Sequence, residues 1–165
     1  MRRLNHLQAK WRGVAFLLIG LLIIVADQLS KEWIRDNLPE GQSLFQLGFF
    51  QITHSHNTGA AFGLFQGQSF VLTIVAIIAI TVILVYALVG YRYFPWLDSM
   101  LSKSALGLML GGTMGNLIDR LRFGYVTDFI DFGYWPAFNV ADSAVTVGAI
   151  IFAISLLWLS RPEKR

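Results

Sequence analysis

The sequence predicts a mainly α membrane protein: four transmembrane helices with a small β-sheet and a surface loop or helix on their outer side. Three observations carry that prediction. Only 14% of residues are charged and 55% are hydrophobic, giving a mean hydropathy of +0.58; soluble domains carry about 25% charged residues. The apolar residues gather into runs close to the ~20 residues that cross a bilayer core. The ionisable side chains collect at the ends of those runs. A chain of 165 residues has room for one domain. It holds no cysteine, which excludes a disulfide framework, a thiol nucleophile and a Cys-ligated metal. Despite a pI near 9.5, so apolar a composition does not describe a nucleic-acid binder.

The spans follow in order. Residues 13–29 are apolar up to Asp27, and residues 69–89 carry no charge. Residues 104–118 lie between Lys103 and Asp119, and residues 140–160 hold a single charge, Asp142. The head bearing Arg2, Arg3, Lys10 and Arg12 has the look of a secretory signal peptide. No small-x-small cleavage site follows it, and three more spans do, so it is assigned as a span. Nine of the 13 Lys and Arg fall in that head, in the link with Arg92 and Lys103, and in the tail with Arg161, Lys164 and Arg165. The positive-inside rule makes this side, with both termini, cytoplasmic. Eight of the ten acids then belong to the opposite half, so acid chemistry is expected at the outer leaflet. There, residues 41–66 alternate Phe49, Gln51 and Thr53 with Phe50, Ile52 and His54, which predicts short strands and a small sheet on the membrane surface. Residues 121–138 carry Tyr125, Phe129, Phe132, Tyr134 and Trp135, which favour the headgroup level. This segment is expected to cap the outer face as a lid hinged at Gly124 and Gly133.

An ionisable group at membrane depth costs about 2.5–3.5 kcal/mol, which makes each one a functional candidate. Asp27 and Lys31 are four apart and can meet on one helix face, as a helix-end ion pair or in a direct chemical role. Gly107, Gly111 and Gly115 recur every fourth residue and invite close approach of another helix. Asn116, Asp119 and Arg120 share a face; Arg120 is expected to neutralise Asp119, leaving a scaffold acid rather than a proton donor. Asp128 sits among aromatic residues with no basic residue nearer in sequence than Arg122, which favours a perturbed pKa. Asn139 and Asp142, three apart, suit the N-cap and N3 positions of the last helix. His54 and His56 would face one way on a strand, but with His6 on the cytoplasmic side they lack further ligands, so no metal site is expected. Asn57 opens a tight turn with Thr58, Gly59, Ala60, Ala61 and Phe62.

With no thiol and no G-x-S-x-G elbow, the outer face offers aspartates flanked by asparagines. Two adjacent carboxyl groups share one proton, so one can activate a water while the other polarises a carbonyl. Five motifs occur in order: Asp27-Gln28-x-Ser30-Lys31, Asn57-x-Gly59-Ala60-Ala61-Phe62, Gly111-Gly112-x-x-Gly115-Asn116-x-x-Asp119-Arg120, Val126-x-Asp128-Phe129 and Phe138-Asn139-x-Ala141-Asp142-Ser143. Together, across about residues 27–143, they resemble the bacterial lipoprotein signal peptidases, or type II signal peptidases. The resemblance implies a cofactor-free, metal-free aspartyl endopeptidase of the bacterial inner membrane. It would be multi-pass and monomeric, with its site near the periplasmic face. It would cut a prolipoprotein just before a cysteine that carries diacylglycerol. The resemblance also implies roles by position. Asp128 and Asp142 match the catalytic pair, although Asp119 competes with Asp128 as partner of Asp142. Asn57, Asn116, Arg120 and Asn139 match residues that hold substrate or a globomycin-type cyclic peptide inhibitor. Gly112, Asp27 and Asp119 match supporting positions. Membrane lipids are the other implied partner, and nucleic acid is not. The competing class is a small proton-coupled transporter, which should place its acids near the midplane and show inverted repeats. A third is an assembly factor that uses the glycine stripe for packing alone.

Overall fold

The apolar runs fold as helices that turn their hydrophobic side chains outward. The computed structural model describes residues 2–59, 65–90, 93 and 98–159. Ala60, Ala61, Phe62, Arg92, Arg161, Lys164 and Arg165, all singled out above, lie outside these residues. The elements are α1 (Arg2–Asn37), β1 (Ser43–Leu47), β2 (Phe50–Asn57), α2 (Ser69–Val85) running into a π-helical turn (Tyr86–Gly90), α3 (Met100–Phe123), β3 (Val126–Asp131) and α4 (Val140–Leu159). Leu17, Leu21 and Leu22 of α1, Ile74, Ile78 and Val82 of α2, and Ile150, Ile154 and Leu157 of α4 are all exposed. Asp27, Lys31, Asp119 and Asn139 are buried. Apolar surface outward and polar groups inward is the arrangement a lipid solvent favours.

Among the described residues, three helical stretches are long and apolar enough to cross a membrane: Ala9–Asn37, Ser69–Gly90 and Val140–Leu157. The third expected span falls on α3, which is not one of them. It has 24 residues, but Lys103, Asp119, Arg120 and Arg122 lower its hydropathy. Its position explains the composition: α1, α2 and α4 all pack on it, so its surface meets protein. Small residues let them approach. A Cβ on Gly107 would stand 2.7 Å from the Phe16 carbonyl oxygen, and one on Gly111 2.6 Å from that of Gly20. A Cβ on Gly112 would run into the Ala141 carbonyl of α4, and one on Gly115 into the Asp27 carboxylate. The glycine stripe thus sets the spacing of α1 and α4 against α3.

α3 starts at Ser99, whose Oγ accepts a bond from the Ser102 N–H at 3.0 Å. It ends at Gly124, left-handed at φ 79°, whose N–H donates to the Arg120 carbonyl. Gly124 is therefore a helix stop. The expected surface segment 121–138 divides into three parts. Residues 121–123 finish α3, Val126–Asp131 form β3, and the rest leads to α4. β3 pairs antiparallel with β2, giving the sheet order β1-β2-β3. Val126, Thr127, Asp128 and Phe129 are buried, and Phe138 closes a further bridge to Ile130. β3 is therefore held both by β2 and by the Phe138 bridge. Pairing runs Gln51↔Asp131 and Ile52↔Ile130, then resumes at Ser55↔Asp128 and Asn57↔Val126. β2 therefore carries a bulge near Thr53 and His54. A one-residue shift changes which side chains face which surface.

Candidate active site

Five elements, α1, β2, α3, β3 and α4, converge at one end of the bundle. At the base, the fully buried Lys31 Nζ lies 2.9 Å from Asp27 Oδ2 and 3.2 Å from Asp119 Oδ2, and donates to Asn116 Oδ1 at 2.9 Å. Gln28 Nε2 donates to both carboxylates. The expected Asp27–Lys31 pair therefore forms, but it joins α1 to α3. Asp119 is not matched with Arg120 as expected. Consecutive residues on a helix point about 100° apart, so Asp119 turns to Lys31, and to Arg35 at 3.7 Å. Arg120 turns to the cleft, where its Nη2 donates to the Gly59 carbonyl at 3.3 Å.

The outer oxygens of this network reach the backbone. Asp119 Oδ2 accepts the Thr127 N–H at 3.1 Å. Asp27 Oδ1 accepts the Ala141 N–H at 3.0 Å. Asp119 thus fixes the residue just before Asp128, and Asp27 the residue just before Asp142. Asp27 and Asp119 hold backbone N–H groups, and neither borders the cleft. Gly112 does not border it either; its part is to admit the Ala141 backbone.

Asn139 joins the two aspartates. Its Oδ1 accepts the Asp142 N–H at 2.9 Å, while Asp142 Oδ2 accepts the Asn139 N–H at 3.3 Å. This reciprocal capping box is the N-cap arrangement expected at the start of α4. The Asn139 Nδ2 donates to Asp128 Oδ1 at 2.7 Å. Asn57 Nδ2 donates to Asp128 Oδ2 at 2.8 Å, and Asn116 Nδ2 to Asp142 Oδ1 at 2.7 Å. Burial and the neighbouring Asp142 carboxylate push Asp128 up to about 7, against the amide donors of Asn57 and Asn139, which favour its ionised form.

Both aspartates line a cleft of about 800 Å³ together with Asn57, Asn116 and Arg120. Its other wall is apolar, built from Leu72, Val75, Ala76 and Ala79 of α2 and Val145 and Val147 of α4. α2 and α4 each pack on α3 rather than closely on each other, so the cleft runs between them. The sequence did not single out Thr127 or Arg35 for this network. The signal available for Arg35 was its spacing: Asp27, Lys31 and Arg35 recur every fourth residue on one face of α1.

A bundle with its apolar side chains outward and a carboxylate-rich cleft between its helices defines a membrane protein with a buried polar site. A family model described as signal peptidase (SPase) II matches residues 19–158. The lipoprotein signal peptidase of Moorella thermoacetica is 49% identical over 143 residues, covering 86% of this chain and 92% of that one. That of Dehalococcoides mccartyi strain BAV1 is 48% identical, covering 84% and 86%. A bacterial membrane enzyme solved by the in meso method at 2.3 Å superposes with a TM-score of 0.81 at 32% identity, over 91% of this chain and 93% of that one. The chain belongs to the signal peptidase II family, and so to the membrane proteases.

Proposed function

We propose that the protein is an aspartyl endopeptidase that removes the signal peptide from diacylglyceryl-modified prolipoproteins. It cuts just before the lipid-bearing cysteine at the outer face of the bacterial inner membrane. The observation that carries this reading is the pair Asp128 and Asp142, both tied to Asn139 at the polar end of an apolar cleft. Family membership supports the substrate class. In this reading all four helices cross the membrane, with α3 shielded by the other three and both termini cytoplasmic. The signal helix and acyl chains enter sideways between α2 and α4. The protein works as a monomer among membrane lipids, with no metal, cofactor or nucleic acid. A globomycin-type cyclic peptide competes for the same cleft.

The chemistry follows from the two carboxyl environments. Asp128, pushed up to about 7, is the protonated member and donates a hydrogen bond to the scissile carbonyl oxygen. Asp142 accepts bonds from Asn116 and the Asn139 N–H and faces Arg120; it is the carboxylate that takes a proton from the attacking water. The water oxygen bonds to the carbonyl carbon. The proton held by Asp142 then passes to the departing amide nitrogen as the C–N bond breaks.

Purified protein in detergent is expected to cut a diacylglyceryl-modified precursor and leave the unmodified precursor whole. Mass spectrometry of the product should find the lipidated cysteine at its N-terminus; a product starting anywhere else contradicts the proposal. Turnover should also fall as pH rises through about 7, because Asp128 then gives up the proton it must donate. A rate that stays level from pH 6 to about 9 would contradict the shared-proton mechanism.

A further inference from the structure

Beyond the aspartates, the cleft wall includes His56, whose ring belongs to a hydrogen-bond chain that the chemistry above does not use. His54 Nδ1 lies 2.6 Å from the Leu38 carbonyl oxygen. A carbonyl only accepts, so His54 carries its proton on Nδ1, and neutral His54 has a bare Nε2. His56 Nε2 stands 3.2 Å from that atom and donates to it. His56 Nδ1 stands 2.9 Å from Glu40 Oε1, a largely exposed carboxylate that also only accepts. The full chain therefore needs a proton on both nitrogens of His56. Neutral His56 must release either Glu40 or His54.

The chain is attached to the bulge that sets the register of β2. The His54 N–H donates to the Gln42 carbonyl at 3.1 Å, and its own carbonyl accepts the Gly41 N–H at 2.8 Å. Beyond the bulge, pairing resumes in the shifted register that sets Asn57 beside β3, where Asn57 Nδ2 holds Asp128. The His56 ring also stacks on Tyr125 at 3.7 Å between centroids, at the entry to β3.

We propose that His56 is a positioning residue for the reaction: doubly protonated, it ties Glu40 to His54, holds the β2 bulge, and so keeps Asn57 seated on Asp128. This rests on the peptidase reading of the aspartate pair. The groups facing the ring are Arg35 from the end of α1, Glu40 from the turn that follows it, His54 from β2, and Tyr125 from the turn before β3. Burial lowers the His56 pKa from its ordinary value; Glu40 opposes this, while His54 and Arg35 add to it. The complete chain is therefore the acid-side form, and it is lost as pH rises.

The chain has three histidines, so ¹⁵N-histidine NMR of the full protein in nanodiscs can follow His54 and His56 directly. His54 should show an Nδ1–H bonded to the Leu38 carbonyl, and the His56 signals should titrate. Glu40→Gln should move the His56 midpoint to lower pH. It should also move one limb of the kcat profile the same way, with KM unchanged. His56→Gln should lower kcat roughly 5-fold, the loss of about one hydrogen bond, and remove the His56 step from the profile while leaving the fall near pH 7 that belongs to Asp128. A His56 that remains neutral on the acid side, or a kcat profile that ignores Glu40→Gln, overturns the proposal. The two failures separate. Turnover that survives Asp128→Asn overturns the catalytic pair, whereas an inactive Asp128→Asn together with an unmoved Glu40→Gln profile overturns the role of His56.

Discussion

Asp128→Asn and Asp142→Asn should each reduce turnover by at least ~10³-fold, within the range that a positioned acid or base contributes, while the protein stays folded. Asn at 142 keeps an acceptor for the Asn139 N–H, so the capping box that starts α4 survives. Asn at 128 turns its amide toward one of two donors, Asn57 or Asn139. That costs about 1 kcal/mol and leaves the other bond in place. What both variants lose is the shared proton, since an amide can neither hold nor take it at neutral pH. Because the lesion is chemical, kcat should collapse while inhibitor affinity changes much less. Measuring turnover on a diacylated precursor beside inhibitor binding checks this. Either variant retaining more than a tenth of wild-type kcat would remove that aspartate from the catalytic pair.

Lys31→Met should instead strike stability. Lys31 is the cation shared by Asp27 and Asp119, all three fully buried. Removing it leaves two carboxylates facing each other, with Arg35 at 3.7 Å from one of them. Breaking a buried pair in this way costs about 3–5 kcal/mol, which for a chain of this length lowers Tm by roughly 10 °C. Activity should fall with it, because Asp27 and Asp119 hold the Ala141 and Thr127 N–H groups. Thermal unfolding in detergent reads the first effect, and kcat well below the new Tm reads the second. An unchanged Tm would show that the three charges carry no net structural weight.

The parts of this arrangement that are local in sequence were legible there. Asp27 and Lys31 meet because they are four apart on a helix. Asn139 caps α4 with Asp142 at N3, and the alternation read over residues 49–54 falls largely on β2. What was not legible depends on contacts between distant segments. β3 has an aromatic composition that also suits a headgroup-level loop, and only pairing with β2, some seventy residues away, makes it a strand. The Asp119–Arg120 match was expected from a shared helix face, but helix geometry sends the two side chains to different neighbours. α3 lies below the hydropathy of its neighbours because it is enclosed by them, which periodicity along one helix cannot reveal. The bulge at Thr53 and His54 leaves no mark in the alternation, yet it sets the register in which Asn57 meets Asp128.

Asn139 begins a helix with one end of its amide and holds a carboxyl group with the other. Fold and chemistry are therefore joined in a single side chain. An inhibitor built to grip that amide would meet little escape at this position, since a replacement that still capped α4, such as Asp, would give up the N–H that holds Asp128.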